Sequence, residues 1–383
     1  MVSVRGNALI GSDLTFVQDV SIHIDSEGTI VNISKERKPT EYVLPSSYVI
    51  IPGFINGHTH VGDSFLKDQT YGLNLEDAVG PKGVKHTKFR TSSKEEKIKS
   101  IKNSLEMLVQ NGYTSFIDFR EEGIEGIELL KDELERYSIR GIILGRQTKN
   151  DTLEEIIKVS DGLGIRDIFS ITQDDLKLIS KLKENNSSKL VAIHASESEE
   201  VTAESISKYG KRDIEIIGNY KSFDYIVHAT YSKEEELKLL CKNKINIICC
   251  PISSLYNGLK FPPLELISKN KILLGLGTDN VLFCNPDPFR LMAFTLYNAR
   301  SNNQNLSPKE VLKSVTVNPG LIIKKKIGQL EVDYSGDLLA IDLESNNLNF
   351  SKDVYSAITM RADQTDIRLQ MYKGKVIKWK DQK

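Results

Sequence analysis

Short apolar runs and longer charged stretches alternate along this chain from Ser47 to Asn280, regularly enough to count. Eight runs stand out: Val49–Ile55, Thr114–Phe119, Gly141–Leu144, Ile165–Ile171, Leu190–His194, Tyr225–His228, Asn246–Cys250 and Ile272–Gly277. Continuous apolar runs this short read as strands buried on both faces. The stretches between them carry helix start signals. Ser93 with Glu96, and Ser232 with Glu235, have capping-box spacing, and Ile101, Leu105 and Leu108 then keep helical spacing. A further helix is predicted near Ser307-Pro308, where proline suits the first helical position. Strand followed by helix eight times over predicts an α/β fold, a (β/α)8 TIM barrel. A doubly wound open sheet would need a glycine-rich phosphate turn after its first strand, and none is present.

The two ends have a different rhythm. Val20–Ile24, Asp337–Ile341 and Met371–Ile377 read as strands with no helical stretches between them. Neither end alone is long enough to bury a core, so residues 1–48 and 329–383 are expected to build one composite β-sandwich domain beside a barrel of residues 49–328. A length of 383 residues suits that arrangement.

Charge removes whole classes of partner. Lysine plus arginine (51) nearly cancels aspartate plus glutamate (52), which gives no electrostatic case for nucleic acid or an anionic membrane. Met1–Gly6 lacks the apolar core of a signal peptide, and no run reaches membrane-spanning length, so a cytoplasmic location is expected. Cys241, Cys249, Cys250 and Cys284 show no metal-binding or redox spacing and are expected to be free thiols. A small-molecule substrate is the expected partner, with a homo-oligomer left open.

The chemistry gathers where apolar runs stop. The first run leads into Asn56-Gly57-His58-Thr59-His60, and in an extended chain residues two apart project to one side, so His58 and His60 can close on one ion. Two surface histidines in a turn would look the same in isolation. The chain has only six histidines, however, and His194 and His228 also end apolar runs, while Asp279 follows the last one. On a barrel all five groups reach the C-terminal rim, where such folds carry their catalytic residues. Three neutral imidazoles and one carboxylate suit one Zn²⁺, or Fe²⁺ or Mn²⁺, with a position left for water that then loses a proton near neutral pH.

As a set, Pro52-Gly53-Phe54, His194-Ala195-Ser196-Glu197, Cys250-Pro251-Ile252-Ser253-Ser254, Gly277-Thr278-Asp279-Asn280, Asn318-Pro319 and Gly328-Gln329-Leu330 resemble the amidohydrolase superfamily. Within it they are similar to the branch of mononuclear deaminases and chlorohydrolases that includes cytosine, guanine and S-adenosylhomocysteine deaminases. The resemblance implies that His58, His60, His194 and Asp279 bind metal, that His228 orients hydroxide or substrate, and that Glu197 shuttles protons. Glu197 also has an argument of its own, since a carboxylate three residues past His194 stays near the metal without ligating it. A helix-start role is its alternative, with Ser198, Glu199 and Glu200 following. Ser254 stands where relatives commonly have asparagine, which puts their usual base contacts in doubt.

The expected activity is attack of metal-bound hydroxide on an aminated ring carbon with release of ammonia. Hydrolysis of an amide or displacement of a halide by the same hydroxide is the enzymatic alternative, and a non-catalytic binding protein on the same scaffold is a third. A binuclear centre would need a bridging lysine at the end of the fourth strand. If that strand ends at Ile171-Thr172 none is available, and Lys149 would serve only if the strand count were off by one. The long Gly62–Ser92 connection is expected to meet substrate, with Asp63 and His86 as its candidates and Ser253 and Ser254 as candidates across the rim.

Overall fold

The computed structural model describes residues 1–36 and 40–379. In chain order its strands are β1 (Val2–Ile10), β2 (Thr15–Ile24), β3 (Ile30–Ser34), β4 (Tyr42–Val43), β5 (Tyr48–Pro52), β6 (Phe54–His60), β7 (Tyr113–Arg120), β8 (Arg140–Gly145) and β9 (Gly162–Ile165). They continue as β10 (Leu190–Ala195), β11 (Tyr225–His228), β12 (Asn246–Cys249), β13 (Leu274–Leu276), β14 (Asp279–Asn280), β15 (Leu338–Asp342), β16 (Ile367–Tyr372) and β17 (Lys375–Trp379).

Two sheets divide them. One is an all-parallel, curled sheet of nine strands in the order β13-β12-β11-β10-β9-β8-β7-β6-β14, with most connections helical. Its two edges come from one stretch of chain: β13 pairs with β12, and β14, starting three residues after β13 ends, pairs with β6 through Asp279 opposite Thr59. Asn56 and Thr278 exchange hydrogen bonds of 2.7 and 3.1 Å across this seam, and Thr59 Oγ1 donates to the Asp279 carbonyl. Gly277 permits the approach, because a Cβ there would sit 2.5 Å from the His58 nitrogen.

Alternate residues of these strands point inward, and Ile117, Phe119, Ile142, Leu144, Leu190, Tyr225, Val227 and Ile248 fill the interior, with Ile322, Ile323 and Ile327 packed against them. The opposite faces pack against the helices in the largest core cluster. The second sheet joins both ends of the chain in the order β17-β16-β15-β5-β1-β2-β3, with β4 on β1, over a core that includes Val4, Ile22, Ile50, Leu338 and Met371. It is one continuous hydrogen-bonded sheet, where two facing sheets were expected.

Several expected boundaries move. The run Val49–Ile55 is two strands: Tyr48–Pro52 pairs with β1 and β15, and the parallel sheet begins only at Phe54, after Gly53 donates to the Asp337 carbonyl. The fourth parallel strand is Gly162–Ile165, and Ile168–Ser170 is a short 3₁₀ turn beyond it, not strand as expected. Met371–Ile377 is a hairpin, turned at Lys373-Gly374 where both residues have positive φ. The Ser93 and Ser307 caps lie where expected, whereas the helix Glu234–Lys242 is capped at Lys233 by Glu236. All four cysteines are free. Among the described residues, no helix is long and apolar enough to cross a membrane.

Candidate metal centre

The C-terminal ends of three strands and the start of a fourth place the polar cluster. His58 and His60 lie at the end of β6, His194 in β10 and His228 at the end of β11, and Asp279 opens β14. His228 and Asp279 hold positive φ (75° and 62°), a strained setting for residues other than glycine that recurs at functional sites. His58 Nε2 lies 3.3 Å from Asp279 Oδ1, His60 Nε2 3.4 Å from the same oxygen, and His194 Nε2 3.2 Å from His58 Nε2.

Hydrogen bonding fixes which way these rings face. His60 Nδ1 lies 3.0 Å from the Phe119 carbonyl and His194 Nδ1 2.8 Å from the Arg166 carbonyl. A carbonyl can only accept, so both Nδ1 atoms carry the proton and both Nε2 lone pairs point into the cluster. Burial pushes the His58 imidazole down to about 4 and that of His60 to about 3, and it holds His194 well below the ordinary range. Asp279 is held well below the ordinary carboxylate range, its contact with His58 and the nearby His228 and His60 outweighing the cost of burial.

The Nε2 lone pairs of His60 and His194 and an anionic oxygen therefore face one point, with His58 Nε2 within 3.3 Å of both His194 Nε2 and Asp279 Oδ1, an arrangement that a cation at that point would stabilise. A tetrahedral ion with donors at about 2.05 Å would separate them by about 3.3 Å. The observed separations of 3.2, 3.3 and 3.4 Å fit a divalent metal.

Glu197 and His228 stand beside this cluster, with Glu197 Oε1 3.3 Å from His228 Nε2; they form a second potential ligand group with Asp279. Burial raises the Glu197 carboxyl above its usual range while His228 draws it down. His60, His194, Glu197, His228 and Asp279 share a cavity with Leu75, Val79, Gly80 and Pro81 of the 62–92 segment, which folds over them in short helices at Leu75–Val79 and Val84–Thr91.

The expected substrate contacts are placed differently from one another. Ser253 Oγ donates to Asp279 Oδ2 at 2.6 Å, so its hydroxyl is used inside the cluster. Ser254 donates to the Cys250 carbonyl at 3.3 Å and is buried. Asp63 is fully buried, accepting from Asn280 at 2.7 Å and from the Leu282 amide at 3.1 Å. His86 and Lys149 line a neighbouring cavity and not the one holding the histidines. The fourth parallel strand ends at Ile165 and is followed by Arg166-Asp167, so no lysine stands there.

Sequence reasoning missed a buried ionic network behind His60. Glu121 Oε1 lies 2.7 Å from His60 Nδ1 and 2.6 Å from Lys85 Nζ, while Arg120 reaches Glu121 Oε2 at 3.0 Å. Lys85 also approaches Asp63 at 3.4 Å, so one lysine of the 62–92 segment touches carboxylates that contact His60 and Asn280. Arg120, Glu121, Arg146 and Arg166 all fall at or just beyond the C-terminal ends of β7, β8 and β9. Applying the rim rule to those strands would have found them.

Residues 49–377 match the amidohydrolase family model. An uncharacterised protein of Methanocaldococcus jannaschii is 32% identical over 375 residues, covering 94% of this chain and 96% of its own. A 5-methylthioadenosine/S-adenosylhomocysteine deaminase of Thermoanaerobacter pseudethanolicus is 25% identical over 390 residues, covering 94% and 89%. Among solved structures, the zinc-bound crystal structure of an adenosine deaminase from Xanthomonas campestris superposes with a TM-score of 0.88 at 16% identity, covering 99% of this chain and 93% of that one. The chain belongs to the amidohydrolase family. With its ligand cluster in place it is a metal-dependent hydrolase of that family.

Proposed function

We propose that the protein is a mononuclear zinc deaminase that replaces the amino group of an aminated ring carbon and releases ammonia. The observation that carries this reading is the convergence of His58 Nε2, His60 Nε2, His194 Nε2 and Asp279 Oδ1, with three of their separations at 3.2, 3.3 and 3.4 Å, and with Glu197 and His228 beside Asp279. Relatives named as deaminases support the choice of leaving group. Fe²⁺ or Mn²⁺ would suit the same donors.

When bound, the divalent ion supplies Lewis-acid activation of water to a nucleophile at neutral pH. Asp279 would accept the proton that this water gives up, being the anionic member of the donor set. Glu197, whose carboxyl is raised by burial, delivers a proton to the ring nitrogen next to the attacked carbon and recovers one from the hydroxyl added there as the C–O double bond forms; the proton held by Asp279 passes to the amine as the C–N bond breaks, which releases ammonia and restores both carboxyl groups. His228, 3.3 Å from Glu197, orients the attacked centre. We take the curled parallel sheet as a (β/α)8 barrel closed through 274–280, with the sheet of both termini as a second domain in a cytosolic protein.

Metal analysis of purified protein and an ammonia-release screen of nucleobases, nucleosides and nucleotides test the reading. One equivalent of zinc with ammonia release that is lost in His58→Ala is the expected result. Two retained equivalents would sink the mononuclear assignment. Release of another leaving group without ammonia would replace the deaminase assignment.

A further inference from the structure

Arg146 and Arg166, which directly follow β8 and β9, line the cavity of the metal centre and also a second cavity beside it. Arg90, Lys97 and Lys149 complete the cationic side of that second space. Its charges are unequally matched. Lys97 is paired with Glu122, and Arg166 with Asp167 at 2.7 Å. Glu121 is already in contact with Lys85, Arg120 and His60, and Arg146 reaches it only at 3.6 Å, beyond hydrogen-bond length. Arg146 Nε is buried with no hydrogen-bond partner among the described residues. Arg90 donates to the Pro81 carbonyl and to Thr87 Oγ1, both neutral. Lys149 has no carboxylate within ion-pair distance among the described residues.

A buried guanidinium nitrogen without an acceptor is costly, and although Glu121 partly offsets the charge of Arg146, Arg166 nearby adds like-charge repulsion. An anion between them removes both costs, and guanidinium groups suit oxyanions with several acceptor oxygens. Arg90 and Lys149, both exposed at the mouth of this cavity, have no carboxylate partner among the described residues, and a dianion draws more on their charges than a single carboxylate does.

We propose that the substrate carries a phosphomonoester, bound by Arg146 and Arg166 at the shared wall with Arg90 and Lys149 around it, while its aminated ring faces Glu197. This rests on the deaminase reading. It places the substrate among phosphorylated nucleoside-like compounds instead of free bases.

Isothermal titration of the zinc-loaded protein with D-ribose 5-phosphate, D-ribose and D-ribonate tests the site without turnover. Ribose 5-phosphate is expected to bind and ribose not, with Arg146→Gln and Lys149→Gln each weakening binding about tenfold or more at unchanged zinc content. Arg90→Gln serves if either variant fails to fold. Ribonate binding as tightly as ribose 5-phosphate overturns the phosphate assignment. So does ribose 5-phosphate binding that survives all three substitutions but disappears on zinc removal, since the phosphate would then be a metal ligand.

Ammonia release is compared for adenosine with AMP, cytidine with CMP and guanosine with GMP. A lower KM for a phosphorylated member, lost in Lys149→Gln, supports the proposal. Equal KM values unaffected by Lys149→Gln overturn it and leave the deaminase reading standing. Ribose 5-phosphate binding that depends on Arg146 and Lys149, with no ammonia from any pair, supports the phosphate site and removes the deaminase reading.

Discussion

Ser253 donates a 2.6 Å hydrogen bond to Asp279 Oδ2, and this leaves Oδ1 of the same carboxylate to face His58 and His60. One oxygen is tethered so that the other keeps its aim. Removing such an outer partner typically costs about 10–100-fold in metal affinity. Ser253→Ala is therefore expected to weaken zinc binding by that factor while retaining turnover when zinc is saturating, as measured by chelator competition alongside kinetics. Unchanged zinc affinity would return Ser253 to the role of a substrate contact.

Glu197 is near the cluster without belonging to the His58–His60–His194 set. Glu197→Gln keeps shape and hydrogen bonding but removes the transferable proton. A fall in kcat of about 10²–10⁴ is expected, with metal content and melting temperature unchanged. Near-parental kcat would reduce Glu197 to a residue that starts the helix Glu199–Tyr209.

The depressed imidazoles make a prediction about protons. Three histidines with ordinary values would together carry about two protons at pH 6 and release them on binding metal. Here burial pushes His58 down to about 4 and His60 to about 3 and holds His194 well below its ordinary range, so the metal-free ligands are already deprotonated at that pH. Zinc titrations in buffers of different ionisation enthalpy should therefore show about one proton or fewer released at pH 6, attributable to water. Two or more would contradict the protonation states derived from the burial of these rings.

Asp63 was expected to meet substrate, and its burial gives a different expectation. It joins Lys85, Asn280 and the Leu282 amide, so Asp63→Ala leaves buried donors without their acceptor. Loss of about 3 kcal/mol of stability is expected, with KM on any turned-over substrate little changed. Denaturant unfolding and kinetics on the same preparation decide between the two. A raised KM at parental stability would restore the substrate role.

The positions of His58, His60, His194, His228 and Asp279 at strand ends were legible because each follows an apolar run that stops abruptly. Tyr225–His228 begins and ends where the pattern put it. What was not legible shares a cause. Val49–Ile55 reads as one strand because both of its parts are buried and apolar, and only the close contact of Gly53 with Thr114 and its bond to Asp337 separate them. Gly162–Ile165 was overlooked because two glycines dilute a run of four, while the more apolar Ile168–Ile171 covers the core from a turn. The Lys373-Gly374 hairpin lacks the asparagine or aspartate that usually announces such a turn. Lys85 and Glu121 carry no local sign of burial, since their partners lie far away in sequence.

The seam between β6 and β14 has a bearing on how the protein is made. His58 is synthesised early, yet its carboxylate partner lies 221 residues later on the segment that pairs with β6. During vectorial synthesis the nascent chain cannot assemble the four-donor cluster until Asp279 has left the ribosome. The sheet around β1 and β5 waits longer still for β15. Metal capture is thus a late event, and its appearance on a growing chain would report that the parallel sheet has joined end to end.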